Sequence, residues 1–224
     1  MYGLWSVYSS LSIRCNKEKE RGELVKEKLN IILTGVGGQG VITAATLLGK
    51  AAVSAKINVI VSEVHGMAQR GGVVDCTVRM GKVHSPLLTK GSADVIISSE
   101  PVEALRQLEK TNKKTIVITD IKPVIPSTVA ITGEKYPKVE DIIRELKNRC
   151  NLITIDALSL AEKAGNKVVK NVVLLGALSA LNILPFSHDV LLKSILANIP
   201  EKYVSINKRA FELGRDAVIE QRKT

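Results

Sequence analysis

The sequence has few cysteines, few aromatics and no long apolar run, and each shortage removes a class of protein. Its three cysteines, Cys15, Cys76 and Cys150, are far apart and odd in number. That argues against a disulfide framework and against a metal or iron–sulfur motif in this chain, and for a reducing, cytoplasmic compartment. Cys76 reads as a small buried apolar residue on a strand. Aromatics make up only 3% of the 224 residues. No basic stripe is interleaved with stacking rings, so no nucleic-acid partner is expected. No segment approaches the roughly 20 apolar residues of a membrane helix. The longest candidate, Val168 to Leu184, is broken by Lys170, Asn171, Ser179 and Asn182. Catalytic signatures are also missing. His65, His84 and His188 are scattered, and there is no G-x-S-x-G elbow, no H-E-x-x-H pair and no P-loop lysine after Gly40.

What remains is a globular chain long enough for one good-sized core, with 45% apolar residues. The formal net charge of +10 is spread along the sequence, as on a solvated Lys/Glu surface or a protein with acidic partners. Residues 1–29 stand apart: a mildly apolar start without a basic head, then mixed Lys, Glu and Arg. They read as a helical or frayed extension, or as an over-called start with the natural chain beginning near Val25. Residues 30–224 read as a single domain.

From residue 30 onward strand and helix patterns alternate. Runs rich in Val and Ile predict strands at Asn30–Thr34, Ile57–Val64, Val73–Met80, Asp94–Ser98, Lys114–Thr119, Val129–Thr132 and Leu152–Asp156. Helices are expected at Val41–Ala55, Pro101–Lys110, Lys138–Arg149, Ala157–Ala164, Asn171–Leu181, His188–Asn198 and Tyr203–Glu220. Asn171–Leu181 is apolar nearly all round, and fits either the internal core or a subunit interface. The alternation predicts a three-layer α/β domain with a mixed, mostly parallel sheet, Rossmann-like at its first strand, turn and helix.

That turn, Gly35-Val36-Gly37-Gly38-Gln39-Gly40, satisfies G-x-G-x-x-G, an arrangement that aims backbone N–H groups and a helix dipole at an anion. Glu63 follows Gly40 by 23 residues, near the spacing of a ribose-binding acid. The next segment conflicts with a dinucleotide site. His65-Gly66-Met67-Ala68-Gln69-Arg70-Gly71-Gly72 is eight residues, too short for the helical crossover a parallel strand needs. The third strand should therefore run antiparallel to the second, which breaks the βαβαβ half-unit. His65, Gln69 and Arg70 are hydrogen-bond donors, Arg70 as a bidentate fork, and Gly66, Gly71 and Gly72 permit close backbone approach. The loop reads as a binding element. An internal Arg70–Glu63 ion pair is the structural alternative.

The glycine turn with Val41, Ser62-Glu63-Val64 with the loop His65–Gly72, and Ser85-Pro86-Leu87 resemble the γ domain of the 2-oxoacid:ferredoxin oxidoreductases. Tyr136-Pro137, Asn171–Ala177 and Phe211-Glu212-Leu213-Gly214 continue the likeness, which runs from about Asn30 to about Gly214. The H-G-M-A-Q-R-G-G loop is similar to the small subunits of the arylpyruvate (indolepyruvate) branch. The resemblance implies oxidative decarboxylation of a 2-oxoacid to an acyl-CoA, with coenzyme A as co-substrate. It implies no cofactor in this chain, and a large partner subunit holding thiamine diphosphate, Mg and 4Fe–4S clusters and passing electrons to ferredoxin. The candidate cofactor- or partner-facing residues are Gly35, Gly37, Gly38, Gln39, Gly40, Glu63, His65, Gln69, Arg70, Gly71 and Gly72. A nicotinamide- or nucleotide-binding oxidoreductase or regulatory module is the alternative.

Overall fold

The computed structural model describes residues 27–65, 72–124 and 135–223. A six-stranded sheet runs in the order β2-β3-β1-β4-β5-β6. Its strands are β1 (Lys28–Val36), β2 (Val59–His65), β3 (Val73–Gly81), β4 (Val95–Ser98), β5 (Ile116–Asp120) and β6 (Asn151–Ile155). β3 is antiparallel to both β1 and β2, and β1, β4, β5 and β6 are mutually parallel. The mixed, mostly parallel sheet expected from the short loop after Glu63 is thus observed. β1 begins at Lys28, two residues before the expected Asn30. The strand expected at Val129–Thr132 lies outside the described residues.

The helices are α1 (Val41–Ser54), α2 (Pro101–Arg106), α3 (Val139–Arg149), α4 (Ala157–Ala164), α5 (Lys170–Ser179), α6 (His188–Ala197) and α7 (Val204–Gln221). Their ends follow the sequence. Pro101 opens α2, and the Glu100 side chain accepts from Glu103 N at 3.0 Å. The Ser187 hydroxyl caps α6 through Val190 N. Gly165 closes α4 at φ 123°.

Strand alternation sorts the core into two layers. Ile31, Leu33, Cys76, Val78, Ile97 and Ile118 face α1, α5, α6 and α7, whereas Ile32, Ile96 and Val117 face α2 and α3. Central strands buried on both faces need near-continuous apolar runs, which Ile31-Ile32-Leu33 of β1 and Val95-Ile96-Ile97 of β4 supply. α5 is buried along its whole length. A Cβ on Gly176 would stand 2.0 Å from Phe211 O, and one on Gly214 1.9 Å from Val173 O. Only glycine lets α5 and α7 touch backbone to backbone here, so the apolar helix belongs to the internal core.

α1 leaves β1 toward one face, and α2 leaves β4 toward the other. The chain therefore reverses direction between β1 and β4. Their carboxyl ends form the crevice in which doubly wound sheets bind ligands.

Candidate functional site

The glycine turn occupies that crevice, and its own chain fills it. Gly35 ends against Gln39, whose Oε1 accepts from Val36 N at 2.8 Å. A Cβ at Gly35 would meet Gln39 Oε1 at 2.6 Å and Ser99 Cβ at 3.1 Å. Gly40 caps α1 at φ 75°, left-handed backbone that glycine adopts without steric cost. Opposite it stands Asn171, near the start of α5. The Asn171 Nδ2 donates to Gly40 O at 3.4 Å, and a Cβ on Gly40 would lie 2.9 Å from that nitrogen. The space left among Thr34, Val41, Ser99, Asn171 and Leu174 is about 10 Å³, room for about one water. A ribose and pyrophosphate cannot enter this space beneath Asn171 without moving α5.

A buried ion pair fixes α5 in that position. Lys170 Nζ lies 2.9 Å from Asp120 Oδ2 and donates to Ser99 O at 2.8 Å. Asp120 ends β5 and is fully buried, its Oδ1 accepting from Ala157 N and Lys122 N, each at 3.2 Å. One lysine thus bridges the ends of β4 and β5 to the first turn of α5. Sequence reasoning treated Lys170 only as an interruption of an apolar stretch. The available signal was a single charge directly before an all-apolar helix, which needs a partner when buried.

On the opposite face lies a second polar group that the sequence did not disclose. Thr34 Oγ1 and Gln107 Nε2 donate to the two oxygens of Asp75, at 2.5 and 2.8 Å. The Tyr136 hydroxyl donates to Glu100 Oε1. Glu103 is buried beside them, with Arg106 Nε 3.4 Å from Oε1 and, among the described residues, no hydrogen-bond partner for Oε2. Burial lifts the Glu103 carboxyl to about 7, with Arg106 opposing and Glu100 and Asp75 adding. Burial, with Glu63 and Asp75 nearby, pushes the Cys76 thiol to about 12. Cys76 is thus an inert core residue, as its place on a strand suggested.

Among the described residues, nothing lies within 4 Å of a would-be Cβ on Gly38, no side chain caps the first turn of α1, and the buried Gln39 Nε2 has no hydrogen-bond partner. A helix start without a side-chain cap presents N–H groups and a positive dipole end to an acceptor. Gly37 N donates to Gly72 O at 2.8 Å, which joins the glycine turn to the far end of the His65–Gly72 loop. The near end, His65, closes β2, with Glu63 exposed two residues before. The glycine turn and the two described ends of the loop, His65 and Gly72, therefore stand at the carboxyl ends of β1 and β2. Gln69, Arg70 and Gly71 lie outside the described residues. Among the described residues no three His, Cys, Asp or Glu side chains are placed to hold a metal ion.

The family model described as pyruvate ferredoxin/flavodoxin oxidoreductase matches residues 30–217. The chain belongs to this oxidoreductase family. Relatives include the protein named indolepyruvate oxidoreductase subunit IorB of Archaeoglobus fulgidus, 40% identical over 87% of this chain and 98% of its own length. The protein of the same name from Pyrococcus horikoshii is 43% identical, over 87% and 98%. Among solved structures, the γ subunit of a keto/oxoacid ferredoxin oxidoreductase from Geobacter sulfurreducens superposes with a TM-score of 0.64 at 20% identity, covering 86% of this chain and 99% of that one. The fold is therefore that of an oxidoreductase γ subunit, and the nicotinamide alternative is not favoured. The γ-subunit fold uses its Rossmann-like turn here without an open dinucleotide crevice. Among the described residues no helix is long and apolar enough to cross a membrane.

Proposed function

We propose that this chain is the small subunit of a cytoplasmic, ferredoxin-dependent arylpyruvate oxidoreductase of the indolepyruvate type. The observation that carries this reading is identity of 40–43% along nearly the whole length of relatives bearing the indolepyruvate name. A large partner chain would hold thiamine diphosphate, Mg and 4Fe–4S clusters and pass electrons to ferredoxin, with coenzyme A as acyl acceptor. The thiamine cofactor supplies the decarboxylation chemistry. This chain's part is to bind, orient and close. Gly38 and the uncapped start of α1, beside the corner tied by Gly37 N and Gly72 O, would face the partner. The α1 N-terminus suits an anion, either a partner carboxylate or a phosphate of coenzyme A. Arg70 suits a carboxylate or phosphate bidentately, and His65 and Gln69 suit a cofactor edge or partner backbone. Gly71 and Gly72 let that backbone come close, and Glu63 supplies an acceptor beside the loop.

The test is Arg70→Ala in the complex reconstituted with its large subunit. Loss of a charge-assisted hydrogen bond of about 1.5–3 kcal/mol lowers kcat/KM about 10- to 100-fold, while the circular dichroism and melting of the chain stay unchanged. Full activity in that variant would remove the loop from the site.

A further inference from the structure

The three buried carboxylates on the α2 face are unevenly supplied with donors. Asp75 accepts through both oxygens, from Thr34 Oγ1 and Gln107 Nε2. Glu100 also accepts through both, from the Tyr136 hydroxyl and from Glu103 N. Glu103 is 2% exposed, and among the described residues its Oε2 has no donor. Among the described residues Arg106 is the one cation acting on Glu103, and that side chain is 63% exposed. The other titratable groups facing Glu103 are Glu100 on its own helix, Asp75 on β3 and Tyr136 ahead of α3. β1, β4, β5, α3 and the 3-10 turn Gln107–Lys110 also pack against α2, and among the described residues they turn no charged group to Glu103. A buried carboxyl with an unserved oxygen, two acidic neighbours and a largely solvated cation is held best in its neutral form. The same helix also reaches the start of β3. Gln107 follows α2 directly and holds Asp75 Oδ2 at 2.8 Å. Asp75 lies three residues past Gly72, whose carbonyl accepts from Gly37 N.

We propose that Glu103 is the proton-binding group of a clasp between α2 and β3 that opens as pH rises. With the proton on, Glu103 stays in the core, and Gln107 holds Asp75 and the start of β3. When the proton leaves, three carboxylates share the site against one guanidinium. Glu103 then moves toward water, α2 shifts with it, and Gln107 releases Asp75. The Gly72 end of the glycine corner is freed in turn. In the closed form the Glu103 carboxyl is raised from 4.5 to about 7, and in the open form it returns to its ordinary value. The closed form is therefore favoured most below 4.5, loses ground as pH rises to 7, and levels off above that. From pH 6 to pH 8 the linkage shifts the balance toward the open form about 10-fold.

This device is independent of the proposed activity and is read on the full chain. Hydrogen–deuterium exchange followed by mass spectrometry, corrected for the intrinsic rate at each pH, measures the opening. Protection of residues 72–78 should fall about 10-fold from pH 6 to pH 8. It should also stay below that of β5 (Ile116–Asp120), because the clasp opens without the whole fold. Glu103→Gln, uncharged and nearly the same shape, should abolish the fall. Gln107→Ala should lower the protection of residues 72–78 already at pH 6 and leave little further change at pH 8, because Asp75 is no longer held from α2. Equal protection at the two pH values, a fall that persists in Glu103→Gln, wild-type exchange in Gln107→Ala, or a β3 start that opens only together with β5 would overturn the proposal.

Discussion

Replacing Lys170 by Met tests what closes the crevice. Lys170 and Asp120 have side chains only 9% and 0% exposed, so removing the ammonium strands a carboxylate away from water. Breaking a buried pair in this way costs about 3–5 kcal/mol. For a chain of this size each kcal/mol lowers the melting temperature by about 2–4 °C, which sums to a fall of about 6–20 °C. Asp120→Asn in the same chain removes the stranded charge and keeps an acceptor for Ala157 N and Lys122 N. The double variant should therefore recover about 2 kcal/mol or more. It stays below the wild type, because Ser99 O has lost its donor, at a cost of about 1 kcal/mol. Urea unfolding of the four proteins gives the coupling energy of the cycle. A Lys170→Met chain within about 1 kcal/mol of the wild type, or two substitutions whose costs simply add, would refute the reasoning.

Two other perturbations follow from the packing. Glu103 has its folded carboxyl raised from 4.5 to about 7, so the folded state holds its proton more tightly than the unfolded chain. Stability is then greatest below 4.5, falls as pH rises through the window to 7 and stays reduced above it, by up to about 3 kcal/mol at 1.36 kcal/mol per unit. Glu103→Gln should flatten that part of the pH profile of urea midpoints, and an unchanged slope would contradict the assignment. Gly214→Ala forces a Cβ to 1.9 Å from Val173 O; α5 and α7 must separate, and thermal melting should show a loss of about 1–3 kcal/mol or more. A melt equal to the wild type would show that the two backbones are not in contact.

Much of the fold was legible because its signals are local. Val and Ile runs marked β1 to β6, and the expected helix ranges fall on α1 to α7, with Ser187, Pro101 and Gly165 at helix ends. The antiparallel β3 followed from counting eight loop residues against the length of a crossover. The apolar run Asn171–Leu181 marked a buried helix. It did not say which element covers it, because Phe211 and Gly214 lie far along the chain. The site was legible in part. The glycine turn was placed correctly and its dinucleotide reading correctly set aside. The direct reason, Asn171 over Gly40, was not visible, because it depends on a pairing 131 residues apart. Lys170–Asp120 and the Asp75, Glu100 and Glu103 group escaped for the same reason. A buried charge names its partner only when the fold brings the two together.

The central claim is that this chain works as one half of a thiamine-dependent complex. Affinity purification of the full chain from native lysate tests it most directly. The account predicts a stoichiometric large chain, brown from iron–sulfur clusters and carrying thiamine diphosphate, that reduces ferredoxin with indolepyruvate and coenzyme A only while both chains are present. Recovery of this chain free of any large partner, or a large chain equally active without it, would contradict the account.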